Sequence, residues 1–336
     1  MDESEWQLLL DHLRETAELA FELGADAGVS ELAKTAGMLH DLGKYSKEFQ
    51  ARLRGSKKPV DHATAGAKEI MKLFPNNPFA EILSYCIAGH HTGLPDYGSM
   101  ADTADNGTLL ARREKKELKN FDAYKTEIDP KLLTLSPRHL KPARFRTEEK
   151  EKAYTGFSVA FLTRMVFSTL VDADWLETER YMQDEERPRG QHADISTLAE
   201  QFNRFLQRFG NPQNDLNRKR TETLKHCLAL ANSEPGFFTL TVPTGGGKTY
   251  ASMGFALNHA IKHGLKRIIY VIPFTGIIEQ NAKVFRDALG DLGPDNILEH
   301  HSNFDWEGNR KGEDDETNGA TAKLKLAAEN WDIPIV

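Results

Sequence analysis

The sequence predicts two domains of different class: an all-α domain, then an α/β domain built on a parallel sheet and incomplete at its C-terminal end. Three observations carry this. No strand pattern appears before residue 235, and the apolar residues up to there recur at helical spacing. Beyond it, short apolar runs alternate with helical segments, the order expected of a parallel sheet covered by helices. Between the two patterns residues 209–216 read Phe-Gly-Asn-Pro-Gln-Asn-Asp-Leu, a run of turn formers that predicts a linker. The expected boundaries are 1–208, 209–216 and 217–336.

The elements follow in order. Trp6, Leu9, Leu10, Leu13, Ala17 and Ala20 define a first helix over 5–23. A second runs from Ser30, a capping residue, to the pair His40-Asp41, where Gly43 supplies a residue tolerant of a turn. A third covers 61–74, opening at Asp61 with His62 in its first turn. A fourth covers 78–91, with Phe79, Ile82, Leu83, Cys86 and Ile87 on one face and His90-His91 at its end. Residues 92–148 are polar and rich in turn formers, so they predict a long insertion with short helices. A long helix over 150–183 has Phe157, Phe161, Met165, Phe167 and Leu170 as its expected inner face. In the second domain, helices are expected at 217–231, 249–263, 275–290 and 318–330. Strands are expected at 236–242, 267–272 and near 296–299, and Ile333-Pro-Ile-Val336 reads as the opening of another.

Bulk properties bound the class. At 336 residues, 39% hydrophobic and 28% charged, the chain has the composition of a soluble globular protein. The acidic start, Met-Asp-Glu-Ser-Glu-Trp, is unlike a signal peptide. The most apolar stretch, Gly156 to Val171, reads as too short for a bilayer and carries Arg164. Only Cys86 and Cys227 occur, which argues against a disulfide framework or a cysteine-held zinc. A cytoplasmic location without a membrane partner is expected. The net charge of -7 does not favour uniform coating of DNA, but phosphate contacts need only a patch. Two basic runs, Arg112–Lys119 and Arg138–Arg146, serve equally as such a patch or as solvated faces.

A spaced series of histidines and acids points to metal chemistry: His12, His40-Asp41, His62, His90-His91 and Asp174. Asp174 sits inside an otherwise apolar helix, where an unpartnered carboxylate is costly. Asp172 is the rival, but residues two apart on a helix face nearly opposite ways; Asp174 is the choice here. The mixed nitrogen and oxygen donors favour Mn²⁺, Fe²⁺, Co²⁺ or Ni²⁺, with Asp41 bridging two ions. Lys44 is placed to neutralise a phosphate, or is a surface lysine. Singly, His139, His192, His226, His259, His263 and His300-His301 read as surface or internally satisfied residues.

In the second domain, Phe237-Phe-Thr-Leu-Thr-Val-Pro-Thr244-Gly245-Gly246-Gly247-Lys248-Thr249 reads as strand, glycine-rich turn and helix start. Backbone N–H groups of such a loop cradle phosphates, Lys248 reaches the terminal phosphates and Thr249 holds Mg²⁺. Val242 stands where a first glycine is usual, which suits a helicase-type loop better than that of a small GTPase.

These motifs resemble a known family. His40-Asp41-Leu-Gly-Lys44, Asp61-His62-Ala-Thr-Ala-Gly66 and Gly89-His90-His91-Thr-Gly93 resemble the HD-domain metal-dependent phosphohydrolases. With the Thr-Gly-Gly-Gly-Lys-Thr loop and Ile272-Pro-Phe-Thr-Gly-Ile-Ile-Glu-Gln280, they resemble the CRISPR-associated nuclease-helicases of type I systems. The resemblance spans nearly the whole chain. It implies an HD nuclease followed by a RecA-like superfamily 2 motor, cutting single-stranded DNA displaced by an RNA-guided surveillance complex and moving 3′ to 5′ with ATP and Mg²⁺. It assigns His12, His40, Asp41, His62, His90, His91 and Asp174 as ligands, Asp41 and Lys44 as the groups at the chemistry, and 244–249 as the nucleotide loop. The run 273–280 matches a helicase motif that touches the DNA strand in relatives. An Asp-Glu box for ATP hydrolysis is missing, since Asp314-Asp-Glu316 lies in an acidic loop; an N-terminal fragment with a truncated motor is expected. Two other readings stay open: an HD phosphohydrolase acting on nucleotides, or a non-catalytic piece that docks on a surveillance complex or an inhibitor protein.

Overall fold

A computed structural model describes residues 6–103, 107–114, 118–135, 148–182, 192–301 and 332–336. Its contacts divide the chain into two compact units, Met1–Glu186 and Arg187–Val336.

The first unit is helical. Helix α1 (Leu9–Leu23) packs on α2 (Ser30–Leu39), and both pack on the long α7 (Glu148–Met182). A 3-10 turn (Leu42–Tyr45) leads to α3 (Lys47–Leu53). Then come α4 (Ala63–Leu73) and α5 (Pro78–Gly89), which pack on each other. Within the expected insertion lie α6 (Leu109–Glu114) and two 3-10 turns. Leu13, Leu32, Leu39, Ile70, Leu83, Ile87, Val166 and Leu170 form one core. Excluding water from these side chains is the main force closing the bundle, at about 1.5–3 kcal/mol for each fully buried aliphatic.

Two glycines set how closely the helices approach. A side chain on Gly66 would meet the Leu39 carbonyl at 1.9 Å, so its absence lets α4 press on the end of α2. A side chain on Gly43 would meet the His62 backbone at 2.4 Å. Gly43 is thus needed for close approach, not for an unusual backbone angle; it is absent from the positive-φ glycines.

Several boundaries differ from the expectation. Ser30 is the first residue of α2, while Val29 holds the capping position. His62 and His90 are the flanking residues of α4 and α5, with Asp61 accepting from the Thr64 N–H at 3.1 Å. The inner face of α7 is the expected one only in part: Met165, Phe167 and Leu170 pack in the core, whereas Phe157 and Phe161 are 67% and 53% exposed. Residues 154–159 are exposed all round the helix, whereas Val166, Leu170, Ala173, Asp174 and Glu177 are buried. Helical spacing identified possible faces but not where the helix meets the bundle. By length and composition, helix Tyr154–Met182 is long and apolar enough to cross a membrane, its most apolar 18-residue window having a mean hydropathy of 1.3. That corrects the expectation of too short a stretch. In this fold its buried carboxylates face the histidines of α1 and α2.

The second unit begins before the expected linker. Helix α8 (Ile195–Leu206) contributes Ile195, Leu198, Ala199, Phe202 and Leu206 to a core shared with Leu224, Ala251, Leu257 and Phe285. These lie on α9 (Asp215–Leu230), α10 (Lys248–His263) and α11 (Thr275–Leu289). The contacts separate the chain at Glu186/Arg187, and the apolar face of α8 packs in the second core. A short α12 (Gly293–Asn296) follows.

No strand is assigned among the described residues. Parallel pairing is limited to two bridges, Ile268–Ile335 and Ile297–Ile335. Ile268 N–H donates to Pro334 O at 2.8 Å, and Leu298 N–H to Ile335 O at 2.9 Å. No strand or bridge is assigned at 236–242, where a strand was expected, and Phe237 is fully exposed. The expected helix 318–330, the Asp314–Glu316 run and the basic run 138–146 lie outside the described residues.

Candidate metal centre and phosphate loop

Four elements of the first unit converge on Asp41. Buried on α1, His12 brings Nε2 to 3.6 Å from Asp41 Oδ2 and 3.4 Å from Asp174 Oδ1. His40, at the end of α2, brings Nε2 to 3.3 and 3.4 Å from the same two oxygens. On the other side, Asp41 Oδ1 lies 3.5 Å from His62 Nε2 and 3.4 Å from His90 Nε2. His91, exposed, reaches His62 with Nε2 to Nε2 at 2.8 Å. The structure thus gathers all seven expected side chains into two groups, His12–His40–Asp41–Asp174 and Asp41–His62–His90–His91, sharing Asp41. Asp174, not Asp172, is the carboxylate brought into the cluster.

The donor atoms fit a cation. His12 Nε2, His40 Nε2, His90 Nε2 and Asp41 Oδ1 are buried and have no hydrogen-bond partner among the described residues. Buried polar atoms normally find one, so these four, divided between the two groups that share Asp41, call for a partner in each. Ligand bonds of about 2.0–2.2 Å place neighbouring donors on one ion roughly 3–3.6 Å apart. The separations around Asp41 fall at that spacing.

The second ring nitrogens explain the aim of the first. His40 Nδ1 meets Gly37 O at 2.8 Å and His90 Nδ1 meets Ile87 O at 2.7 Å, each the carbonyl one turn back on its own helix. His62 Nδ1 approaches Val60 O at 3.4 Å. His12 Nδ1 meets the Glu177 carboxylate. Arg112 secures the end of α5 through the Ala88 carbonyl, so part of the first basic run is spent within the fold. Lys44 pairs with Asp41 Oδ2 and keeps 26% of its side chain exposed.

The two groups differ in charge. Burial disfavours a charged His12, but the neighbouring carboxylates of Asp174, Asp41 and Glu177 outweigh it and raise the imidazole to about 11. Burial is likewise outweighed at His40, which Asp41 and Asp174 raise to about 9. The same contacts, against burial, hold both carboxyls below the usual range. In the other group burial lowers His62, and burial together with His90 lowers His91 to about 4. Without a cation, the first group is a protonated imidazole–carboxylate network and the second holds neutral rings at its outer edge.

Sequence reasoning missed Glu177. It is 1% exposed and three residues beyond Asp174, so on one face of α7. That i, i+3 pair of carboxylates was the available signal.

In the second unit, the glycine-rich loop turns into the start of a helix. Gly245 and Gly247 have φ of 79° and 86°, angles that side chains resist, and α10 starts at Lys248. Lys248 Nζ donates to the carbonyls of Val242 at 2.7 Å and Pro243 at 3.3 Å. Arg220 Nε donates to Gly245 O at 2.8 Å. Thr244, Gly246 and Thr249 complete the loop, in which the Gly246 N–H donates to Pro243 O at 3.0 Å. Of the remaining histidines, His259 Nδ1 meets Ala231 O at 2.9 Å and His263 Nε2 meets Ser233 O at 2.8 Å, both satisfied by backbone.

Residues 9–130 match the HD domain family, and residues 198–327 match the type III restriction enzyme res-subunit family. The CRISPR-associated nuclease/helicase Cas3 of Haloferax volcanii is 24% identical over 301 residues, covering 74% of this chain and 32% of that protein. The chain spans about a third of the length of that relative. The HD match contains His12, His40, Asp41, His62, His90 and His91, and the second match contains the phosphate loop. The chain is Cas3-like, an HD domain followed by a helicase-type domain.

Proposed function

We propose that the first unit is a metal-dependent phosphodiesterase that cuts single-stranded DNA, and that the second binds ATP with Mg²⁺ for a 3′-to-5′ motor. The observation that carries the nuclease is the pair of donor groups sharing Asp41, with buried nitrogens and an oxygen aimed at common centres. Divalent Mn, Co, Ni or Fe bound there would supply an activated water and neutralise phosphate charge.

The chain's own residues have distinct roles in this reading. His12, His40 and Asp174 would hold a cation in one group and His62, His90 and His91 in the other, with Asp41 belonging to both groups. The backbone carbonyls behind His40 and His90 fix those rings with Nε2 inward. Lys44 stands beside Asp41 and partly in solvent, where its ammonium can meet a phosphate oxygen at the mouth. His91 and His62 form the exposed edge, so substrate enters from that side. In the cell, the Cas3-like composition supports a cytoplasmic role in CRISPR interference beside an RNA-guided surveillance complex.

The test is cleavage of single-stranded DNA with Mn²⁺, Co²⁺ or Ni²⁺ and no ATP, run in parallel on deoxynucleotides. Shortened DNA strands support the nuclease. Release of phosphate from nucleotides with intact DNA would replace it with a nucleotide phosphohydrolase.

A further inference from the structure

His12 is held unlike the other inward histidines. His40, His90 and His62 place Nδ1 against backbone carbonyls, which are neutral. His12 places Nδ1 against Glu177 Oε2, and the other Glu177 oxygen accepts from Gln7 Nε2. Burying a carboxylate is costly unless it is paired, so this contact is a built feature of α7. Helix α7 supplies both a candidate ligand, Asp174, and the group behind another, since residues three apart share a face.

We propose that Glu177 is a positioning residue that strengthens metal binding at the His12–His40–Asp41–Asp174 group and leaves the Asp41–His62–His90–His91 group untouched. The proposal rests on the metal-centre reading above. A carboxylate accepting from Nδ1–H fixes the tautomer, aims the Nε2 lone pair toward Asp174 and Asp41, and makes that nitrogen the stronger donor. Carbonyl partners orient the remaining rings without adding a negative charge. The first group also has a second carboxylate, Asp174, where the other has a third imidazole. The two positions should therefore bind cations with separable affinities, and Glu177 should act on one of them.

The test is titration of the full metal-free chain with Co²⁺, read by bound metal and by visible absorption, in wild type, Glu177→Gln, Gln7→Leu and Asp174→Asn. Wild type should show two classes of site. Glu177→Gln keeps size and an acceptor oxygen but loses the charge. It should weaken one class by about 10–100-fold and shift its absorption, leaving the other within about twofold. The weakened class should be the one that Asp174→Asn removes. If Glu177→Gln does not fold, Gln7→Leu decides: the carboxylate stays, and the same class should weaken by less than tenfold. Equal weakening of both classes, or no change in either, overturns the proposal. A wild-type chain that takes up no cobalt overturns the metal reading itself, and the proposal with it.

Discussion

Replacing Asp41 with alanine tests the centre most directly, because both donor groups depend on that one carboxylate. Its two oxygens lie 3.3–3.6 Å from four imidazole nitrogens, and the residue is fully buried. In the metal-free protein the carboxylate also offsets protonated His12 and His40 and the Lys44 ammonium. Removing one partner from a buried ionic network costs about 3–5 kcal/mol. The histidines can shed their protons once the anion is gone, so the lower end, about 3 kcal/mol, is expected. For a unit of this size that lowers Tm by roughly 6–12 °C. Metal uptake should fall from two ions to none held tightly, and cleavage of single-stranded DNA to background. The assay combines chelator-treated thermal unfolding, metal analysis after dialysis, and cleavage at saturating Mn²⁺. Wild-type cutting, or a full complement of metal, would refute the shared-ligand reasoning whatever happens to Tm.

Four further outcomes are expected. Asp174→Asn should lose one class of metal site while Asp172→Asn keeps both, and the reverse result would move the assignment by two residues. In chelator, stability should fall as pH rises from 7 to 9. His40 and His12 are raised from 6.5 to about 9 and 11, so their contribution is complete below 6.5 and lost on passing those values. Tm that is flat or rising over that range would contradict it; metal affinity should rise instead, as ligation needs neutral rings. Lys248→Ala should weaken ATP–Mg²⁺ binding at least about tenfold (roughly 1.4 kcal/mol) without changing metal-dependent DNA cleavage more than twofold, and a matched loss of cleavage would couple the two sites. Gly43→Ala should lower both Tm and metal affinity, since its Cβ would meet the His62 backbone at 2.4 Å; an unchanged Tm would show that the turn can move aside.

How much of this was legible in the sequence depended on what each feature needs. The seven candidate ligands were legible because metal donors come from few residue types and each stood at a helix end or inward face. Helical geometry said that only one of Asp172 and Asp174 could face inward, and the contacts of Asp174 with His12 and His40 show which. Gly43 was noticed for the wrong reason: its role lies in a contact with His62, nineteen positions on, and such approaches leave no local signature. The apolar face of α8 was equally readable as part of either domain, because amphipathicity reports that a face is buried and not against what. The aromatic pair Phe157 and Phe161 failed similarly, having helical spacing but no bundle beside it.

The strands show a different limit. A helix satisfies its backbone within its own segment, so the periodicity of 248–263 was enough to place α10 within one residue. A strand takes its hydrogen bonds from other segments, and apolar runs such as 236–242 and 267–272 state only a readiness to pair. Ile335 is the one residue here seen bridging two of them, Ile268 on one side and Ile297 on the other, both parallel. That arrangement places the run 333–336 between two runs that precede it in sequence. The phosphate loop needs less: its two left-handed glycines and the start of α10 already orient the N–H groups. Phosphate binding at 244–249 and the parallel pairing around Ile335 are therefore separable properties. An Ile335→Asp change should disturb the second core while leaving the loop's backbone able to take a phosphate.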